Sequence, residues 1–357
     1  MKILIDGSVF QIPATGIAKA TLNLYENCID LDPSLEVVIV HRRQLKCTIP
    51  PKINTVKFCG FLPEFLWRSI ALPFYINIKK PDIVHFPWNG KIPGFIRNTK
   101  IITTIFDLIP LRVPEFFKNN REEEIFRKKL QKSIDRADTV ITSSIFSKKD
   151  IIKDFKLKNQ PFVLYIGPTI KCSNINDESK NDYFLYVGGY DKRKGIEFLI
   201  KAFKKLLEET KIKSKVVSTG DKIYYSENLK ELIEEGKEKG FLVEKGYVGE
   251  SELCNLYANA IALVYPSIYE GFGLPPLEAM MLGCPVITTK STSIPEVCGS
   301  AAYYIDINKK TELYEAIINL EYDRELRDKL KLMGKEQSSK FSWKSISKSF
   351  LEKINNI

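Results

Sequence analysis

Two glutamates flank a loop rich in glycine and proline in the stretch VYPSIYEGFGLPPLEAMMLGCPV, residues 264–286. Glu270 follows an apolar run, Ile261–Tyr265, and Glu278 follows two prolines that favour a helix start. A helix start presents N–H groups and a partial positive charge of about +0.5, which suit a phosphate. Carboxylates beside such amides accept hydrogen bonds from sugar hydroxyls. The stretch therefore indicates either a site for a ligand that is both anion and polyol, or a helix-capping acid beside a turn glutamate.

Two further glycine loops have similar potential. In YVGGYDKRKG, residues 186–195, Arg193 and Lys194 stand directly before a predicted helix. Arginine can bind a diphosphate through a bidentate fork and lysine as a point charge, although a solvated charge run has the same appearance. In DGSVFQIPATG, residues 6–16, Gly16 opens a predicted helix and could offer its amide to a phosphate. Taken alone, such a stretch is more often an ordinary glycine-bearing turn.

Short apolar runs alternate with helical patterns along the chain and provide the scaffold for these loops. The clearest helical patterns lie at 17–28, 122–137, 196–209 and 250–259. Strands that are apolar throughout predict an α/β fold with doubly wound parallel sheets covered by helices on both faces. The predicted strands are Ile3–Ile5, Val37–Val40, Ile83–His85, Ile101–Phe106, Val140–Thr142, Val163–Ile166, Phe184–Val187, Val216–Thr219, Ile261–Tyr265, Val286–Thr288 and Tyr303–Ile305.

One polar segment without periodicity, TIKCSNINDESKND, divides the 357 residues. It predicts an N-terminal domain at 1–168, a linker at 169–182 and a C-terminal domain at 183–342. A final helix at about 343–357 could pack on either domain, including back on the first. Ligands of doubly wound sheets bind beyond the carboxyl ends of the strands, so we expect the two domains to face each other across a cleft.

Composition excludes several protein classes. With 44% hydrophobic residues and no apolar run of about eighteen, the chain is expected to be globular and without a membrane-spanning helix. Its N-terminus, MKILIDG, lacks the apolar stretch of a signal peptide. The net charge of +10 indicates a lysine-rich surface or attraction to anionic membranes or substrates, and no nucleic-acid-binding motif accompanies it. Seven scattered cysteines without a C-x-x-C pair predict reduced thiols in a cytoplasmic protein and no zinc site.

Together, the three glycine loops resemble, in order and spacing, the retaining glycosyltransferases of family GT4. Members of this family have the GT-B architecture of two Rossmann-like domains. The resemblance is strongest over residues 246–302, which contain EGFGLPPLEAM. The segments PDIVHFPWNG, FDLIPLRVPEFF and ADTVITSSIFSKKDI resemble the N-terminal half of the mannosyltransferase-like branch.

This resemblance implies a metal-independent hexosyltransferase that takes a hexose, with mannose favoured, from a nucleotide diphosphate-sugar, with GDP-mannose favoured. The implied acceptor is a glycan or lipid-linked glycan in surface polysaccharide biosynthesis. No cofactor is implied besides the donor substrate. UDP- and dTDP-sugars stay open as donors, and so does a catalytically silent homologue that binds a sugar nucleotide or glycan. A phosphorylase or nucleotide-sugar hydrolase on the same fold is a further alternative.

The resemblance also implies roles for individual residues. Glu270 would contact the donor sugar near the reacting centre, and Asp107 is a second catalytic candidate. Glu278 would bind the ribose, Arg193 and Lys194 the diphosphate. The remaining implied donor contacts are the Gly16 amide at the diphosphate, Val248 at a strand end near the base, and the backbone of Gly271, Phe272, Gly273 and Leu274 at sugar hydroxyls and the distal phosphate.

One position departs from the family pattern. The family usually has His-Asp where this chain has Phe106-Asp107, so a histidine base at residue 106 is excluded. His41 and His85 are the two histidines present, and we interpret His85, at a predicted strand end, as structural. The resemblance then implies a same-face transfer in which the leaving diphosphate takes the acceptor proton, stabilised by Arg193 and Lys194.

The segment KFCGFLPEFLWRSIALPFYINIKK, residues 57–80, is rich in aromatic residues and flanked by lysines. It predicts either a helix facing the core of the first domain or a surface that touches a membrane to reach a lipid-linked acceptor. We therefore expect a cytoplasmic protein with possible peripheral contact at the inner face of the membrane.

Overall fold

The computed structural model of the chain describes residues 1–12, 16–89, 92–113, 116–173, 175, 182–220 and 226–357. Residues 174 and 176–181 of the predicted linker, and residue 15 of the first glycine loop, lie outside the described residues. The chain divides into two compact units, one formed by residues 1–169 and 341–357 and the other by residues 170–340. Each unit has its own sheet and its own core.

In the described part of the first unit, seven strands form an all-parallel sheet in the order β3-β2-β1-β4-β5-β6-β7. The central strand β1 pairs Ile5 with Ile39 on one side and with His85 on the other. Apolar side chains on both faces of these strands are buried, as expected for parallel strands covered by helices. The strands are β1 (Lys2–Asp6), β2 (Glu36–His41), β3 (Asn54–Lys57), β4 (Ile83–Phe86), β5 (Lys100–Thr104), β6 (Thr139–Thr142) and β7 (Phe162–Val163).

The helices of the first unit separate most of its consecutive strands, but within the described residues no helix lies between β2 and β3 or between β4 and β5. Side-chain oxygens of Asn119 and Ser144 accept hydrogen bonds from the first turns of the two helices that flank β6, which explains where these helices begin. The helices are α1 (Gly16–Leu31), α2 (Glu64–Leu66), which continues through a π-helical turn (Trp67–Ala71) into α3 (Leu72–Lys79), then α4 (Ile109–Arg112), α5 (Asn120–Arg136) and α6 (Ile145–Asp154).

The second unit repeats this architecture. Its described residues form a six-stranded parallel sheet in the order β10-β9-β8-β11-β12-β13. The strands are β8 (Tyr183–Val187), β9 (Lys215–Thr219), β10 (Leu242–Glu244), β11 (Ala262–Tyr265), β12 (Val286–Thr289) and β13 (Tyr303–Ile305). The helices are α7 (Ile196–Glu208), α8 (Glu227–Glu238), α9 (Glu250–Asn259), α10 (Leu274–Met281), α11 (Ile294–Cys298), α12 (Lys310–Tyr322) and α13 (Arg324–Ser339).

The final helix, α14 (Trp343–Ile354), packs in the first unit. Its Phe350 ring makes an edge-on contact with Tyr25 of α1, with 5.6 Å between centroids. Trp343 Nε1 donates to the carbonyl of Pro168 at 2.7 Å. The sequence did not decide on which domain this helix packs. In the structure, the apolar face of α14 is buried against α1.

All predicted strands have a counterpart in the structure, one of them differs markedly in extent, and two further strands were not predicted. The sequence did not indicate β3 and β10, which are the outermost strands on one side of their sheets. Another strand, β7, shares only Val163 with the predicted Val163–Ile166. Of the helices in the described part of the chain, none is both long and apolar enough to cross a membrane.

The cysteine prediction is wrong for one pair. Cys172 and Cys254, which are 82 positions apart in the sequence, form a disulfide with Cα atoms 5.8 Å apart. The backbone N–H of Lys171 donates to Glu250 at 3.4 Å, so the segment carrying Cys172 lies against α9. The pair is formed by tertiary contact between distant segments, and a search for closely spaced cysteines could not find it.

Candidate functional site

Three predicted site residues of the second unit, Arg193, Lys194 and Glu270, follow the ends of two neighbouring strands. β8 and β11 pair directly in the sheet, and each is followed at its carboxyl end by one of the predicted loops. The loop after β8 carries Arg193 and Lys194 in a short 3₁₀ turn, and the loop after β11 carries Glu270. Because carboxyl ends of parallel strands meet at one edge of the sheet, these two loops lie side by side.

Arg193, Lys194 and Glu270 form one hydrogen-bonded cluster, which we name the Glu270 cluster together with Tyr265 and Ser267. Arg193 Nη1 and Lys194 Nζ donate to the same carboxylate oxygen, Glu270 Oε1, at 2.9 and 2.7 Å. Ser267 Oγ donates to this oxygen as well, at 2.5 Å. Lys194 Nζ also donates to the Tyr265 hydroxyl at 2.6 Å. The resemblance assigned the two cations to a diphosphate, and in the structure both donate to Glu270.

Burial governs the electrostatics of this cluster. Burial opposes ionisation of Glu270, but the charges of Lys194 and Arg193, with hydrogen bonds from Lys194 and Ser267, outweigh it and hold the Glu270 pKa below its usual value. Burial lowers the pKa of Lys194, with Arg193 adding to the effect and Glu270 opposing it. Glu270 is therefore a carboxylate that neutralises two cations which would otherwise attract an anion strongly.

The glycine loop itself is held in place by the next strand. Ser293, which follows β12, donates from Oγ to the carbonyls of Glu270 and Phe272, both at 2.9 Å. Gly273 has φ +113°, a backbone conformation that residues with a side chain rarely adopt, so this position favours glycine.

The backbone amides at the start of α10 are few. The two residues after Leu274 are prolines, which carry no N–H, so the amides nearest the helix start belong to Gly273 and Leu274. Gly271, Phe272 and Gly273 are buried, and Leu274 is half-buried.

Glu278 lies one turn into α10 and is buried. Its carboxylate adds to the effect of burial in raising the pKa of Tyr257, which places the Glu278 carboxylate beside this tyrosine of α9. Glu278 therefore lies beside a tyrosine, whereas Glu270 is held by two cations.

Gly195 allows the two loops of the site to approach each other. It has φ +71°, and a Cβ at this position would lie 2.5 Å from the carbonyl oxygen of Pro266. Pro266 directly precedes Ser267, and the Ile268 N–H donates to the Arg193 carbonyl at 3.0 Å. Any side chain at residue 195 must therefore push the Glu270 loop away from the Arg193 loop.

We expect Gly195→Ala to lower the free energy of unfolding by about 2–3 kcal/mol, combining left-handed strain with the clash. Turnover should fall in parallel because the Glu270 loop moves. Gly240→Ala is the matched control, since Gly240 has a similar φ of +76° but a Cβ there would meet none of the described residues within 4 Å. Thermal melting and initial rates of both variants measure the difference. Equal losses in the two variants would contradict this role for Gly195.

The Val248 prediction needs a correction. The sequence placed Val248 at a strand end, but β10 ends at Glu244 and Val248 lies in the loop before α9. The chain leaves the strand because Gly246 adopts φ +63°, and its carbonyl accepts hydrogen bonds from Gly220 N at 3.0 Å and Thr219 Oγ1 at 2.7 Å.

In the first unit, Asp107 follows β5 at the carboxyl edge of the sheet. Its Oδ1 accepts from the Ile109 N–H at 3.0 Å, and its carbonyl accepts from Asn89 Nδ2 at 3.2 Å. The Phe106 carbonyl accepts from Ser143 Oγ at 2.7 Å. Asp107 therefore occupies a fixed position in a turn, and Gly16 begins α1 as predicted.

His85 is a core residue of the first unit. Its Nδ1 and Nε2 lie 2.8 Å from the hydroxyls of Tyr25 and Thr104. Burial lowers the pKa of His85 to about 3. This histidine is a neutral part of the packing between strands and helices.

Sequence reasoning missed four polar residues of the site. One is the last residue of β11 and bonds to Lys194, and the other three lie just past the ends of β11 and β12 and orient the glycine loop or its glutamate. Thr292 Oγ1, for example, accepts from the Glu270 N–H at 2.9 Å. For Thr292 and Ser293 a signal was present in the polar run of residues 291–293, shortly after β12. The four residues are Tyr265, Ser267, Thr292 and Ser293.

Comparison with known proteins reveals curated relatives over most of the chain. Residues 171–337 match the family Glycosyl transferases group 1. O-antigen chain mannosyltransferase B of Escherichia coli is 29% identical over 375 residues, covering 97% of each chain. O-antigen chain mannosyltransferase RfbU of Salmonella typhimurium is 31% identical over 278 residues, covering 77% of this chain and 76% of the relative.

Solved structures with the same fold cover the whole chain at low identity. Sucrose-phosphate synthase from Thermosynechococcus elongatus has a TM-score of 0.75 at 18% identity, covering 99% of this chain and 98% of its own. Anabaena Alr3699/HepE in complex with UDP and glucose has a TM-score of 0.75 at 16% identity, covering 100% of both chains. With its two parallel-sheet α/β units, this chain has the GT-B fold that the sequence predicted.

Proposed function

The chain belongs to the group 1 glycosyl transferases and is a glycosyltransferase, and we propose that it is a retaining, metal-independent hexosyltransferase (EC 2.4.1.-). Its proposed reaction moves mannose from GDP-mannose to a glycan or lipid-linked glycan in surface polysaccharide biosynthesis. The sugar and the pathway are supported by relatives named as O-antigen mannosyltransferases. The observation that carries the proposed chemistry is the Glu270 cluster.

The proposal assigns a role to each predicted residue. Arg193 and Lys194 bind the donor diphosphate, and Glu278 accepts hydrogen bonds from the ribose. Glu270 contacts the transferred sugar, and Asp107 lies on the acceptor side. The remaining donor contacts are Gly16, Val248, Gly271, Phe272, Gly273 and Leu274.

In the proposed reaction, the bond between the sugar C1 and the leaving diphosphate oxygen breaks, and the acceptor oxygen bonds to C1 on the same face. The acceptor proton passes to the leaving phosphate oxygen, so no histidine is needed at residue 106. Arg193 and Lys194 are suited to stabilise the charge that develops on that phosphate. Because both are preorganised by Glu270, little reorganisation accompanies the reaction.

UDP- or dTDP-sugars are the main alternative donors, and one neighbour of the same fold was solved with UDP and glucose. Phe106 in place of the usual histidine favours a second candidate, a silent homologue that binds a sugar nucleotide without transfer. The retained Arg193, Lys194 and Glu270 arrangement argues against this second candidate. The chain is proposed to act in the cytoplasm.

A donor panel tests the proposal. A nucleoside diphosphate at about a hundred times its dissociation constant adds roughly 2.7 kcal/mol of stability, so thermal shifts with GDP, UDP, dTDP and ADP rank the base. Mannose transfer from GDP-mannose with retained anomeric configuration, read by NMR, is the expected product. Preference for UDP, an inverted product or no transfer would contradict the corresponding part of the proposal. Sugar release without an acceptor would indicate a hydrolase or phosphorylase.

We expect Glu278→Ala to weaken donor binding by about 10- to 100-fold, the loss of hydrogen bonds to a charged acceptor. Turnover at saturating donor should change much less, because the ribose lies away from the reacting bond. Steady-state kinetics at varied donor concentration separate the two effects. A fall in kcat with unchanged KM would contradict the ribose-binding role.

A further inference from the structure

The helical segment from Glu64 to Lys79 is apolar on two opposite faces. One face packs into the core of the first unit through Trp67, Leu72 and Ile76. The other face exposes large apolar side chains: Phe65 (68% exposed), Ile70 (61%), Phe74 (58%) and Ile78 (57%). A contiguous exposed row of this kind is uncommon on a protein surface that only meets water.

The π-helical turn keeps these exposed side chains in line. The Leu72 N–H donates to the Trp67 carbonyl, a five-residue step that inserts one extra position into the helix. The exposed residues are accordingly spaced by five and then by four and four, and they form one row about 20 Å long at 1.5 Å per residue. We name this row, with Phe95, the Phe74 stripe.

Phe95 extends the stripe from a neighbouring loop. It is 69% exposed, and its backbone is fixed to the helix through Asn77. Asn77 Nδ2 donates to the Phe95 carbonyl, and Asn77 Oδ1 accepts from the Arg97 N–H at 3.0 Å. The stripe is thus a preformed surface made of two segments held together by hydrogen bonds.

Exposed cations border the stripe. They are Lys79 and Lys80 at the end of the helix, and Arg97, whose N–H bonds to Asn77. The nearby carboxylates are engaged by the protein's own donors. Glu64 lies 3.4 Å from Arg68 and 3.8 Å from Arg42, and Asp82 accepts from the Lys2 N–H at 2.6 Å. The border is therefore positively charged in a chain of net charge +10.

We infer that the Phe74 stripe docks the first unit on an anionic phospholipid bilayer. An apolar helix face bordered by lysines is suited to lie in the membrane interface, with its rings among the acyl chains and its ammonium groups at the phosphates. The helix then lies parallel to the membrane plane. The inference deepens the proposed function and rests on it for one point, the delivery of a lipid-linked acceptor to the enzyme.

Vesicle flotation with the full chain tests this surface. Wild-type protein is expected to float with phosphatidylglycerol-rich vesicles, and Ile70→Asp/Phe74→Asp to lower the apparent affinity about tenfold or more. Lys79→Glu/Lys80→Glu should reduce binding to these vesicles and make it less sensitive to salt. Leu332→Asp is the matched control, since Leu332 is 74% exposed on α13 of the second unit and should leave binding unchanged.

Absence of wild-type flotation, or equal loss in the Leu332 variant, would overturn the inference. Self-association of the wild type that the Ile70/Phe74 double variant abolishes, without vesicle binding, would assign the stripe to a second copy instead. Transfer to a short water-soluble acceptor should persist in the stripe variants. If vesicle binding holds while no transfer occurs in any variant, the proposed function fails and the docking surface stands.

Discussion

Replacing Glu270 by glutamine is expected to lower turnover by about 10²- to 10³-fold, the range found when a preorganised electrostatic contact to the reacting centre is removed. The amide keeps the shape of the side chain but cannot balance Arg193 and Lys194, which both donate to Glu270 Oε1. The same change should tighten binding of a nucleoside diphosphate, because the carboxylate that both cations share is removed and only Asp191, 3.2 Å from Arg193, still competes with the ligand. Turnover and affinity should therefore move in opposite directions.

Stability provides a third readout for this variant. Removing one partner of a buried charge cluster typically costs about 3–5 kcal/mol, so the melting temperature without ligand should fall. Added nucleoside diphosphate should restore much of the lost melting temperature. The control is Glu321→Gln, since Glu321 accepts from Lys213 N and Ser214 Oγ in the same unit, outside the site. A Glu270 variant with wild-type turnover would contradict the proposed role.

Acid should destabilise the first unit through His85. Its pKa is about 3 in the folded protein, against about 6.5 in an unfolded chain. Above pH 6.5 the imidazole is neutral in both states and has no effect on stability. As the pH falls below 6.5, the unfolded state takes up a proton that the folded state refuses, so stability declines by up to about 1.4 kcal/mol per pH unit. The decline continues until the pH reaches the folded pKa.

The three tryptophans of the chain, Trp67, Trp88 and Trp343, all lie in the first unit, so their fluorescence reports its unfolding selectively. In urea titrations, the free energy of unfolding should fall by about 2 kcal/mol between pH 7 and pH 5 because of His85. The control is the triple variant Tyr25→Phe/His85→Leu/Thr104→Val. It removes the histidine together with its two hydroxyl partners, so neither hydroxyl is left buried without a hydrogen-bond partner. Between pH 7 and pH 5, the free energy of unfolding of this variant should fall by about 2 kcal/mol less than that of the wild type. The same pH dependence in both proteins would refute the prediction.

The central strands were predictable because their burial is visible in the residues themselves. Ile3–Ile5 and Val37–Val40 are apolar at every position, which is typical of parallel strands covered on both faces. The edge strands β3, with sequence NTVK, and β10, with sequence LVE, are short and partly polar because one side of each strand has no neighbour. Their pattern does not differ from that of a loop.

The candidate site was predictable only in pieces. The glycines, the prolines and the two glutamates identified loops that precede helices. The sequence did not reveal that Arg193 and Glu270, 77 positions apart, would share a hydrogen bond. Nor did it reveal that Ser267 and Thr292 would fix the glutamate, because serine and threonine after a strand are common in loops of every kind.

The sequence by itself determined the alternation of strands and helices, which follows from local periodicity. Its resemblance to family GT4, carried by motifs within a few residues of one another, implied the GT-B fold and the candidate donor-site residues. Tertiary structure decided which charges neutralise each other, that Cys172 and Cys254 are joined, and that α14 packs on α1. It also decided that the helix from Glu64 to Lys79 buries one apolar face and exposes the other. These features depend on which strands become neighbours, and that is settled only when the whole chain competes for burial.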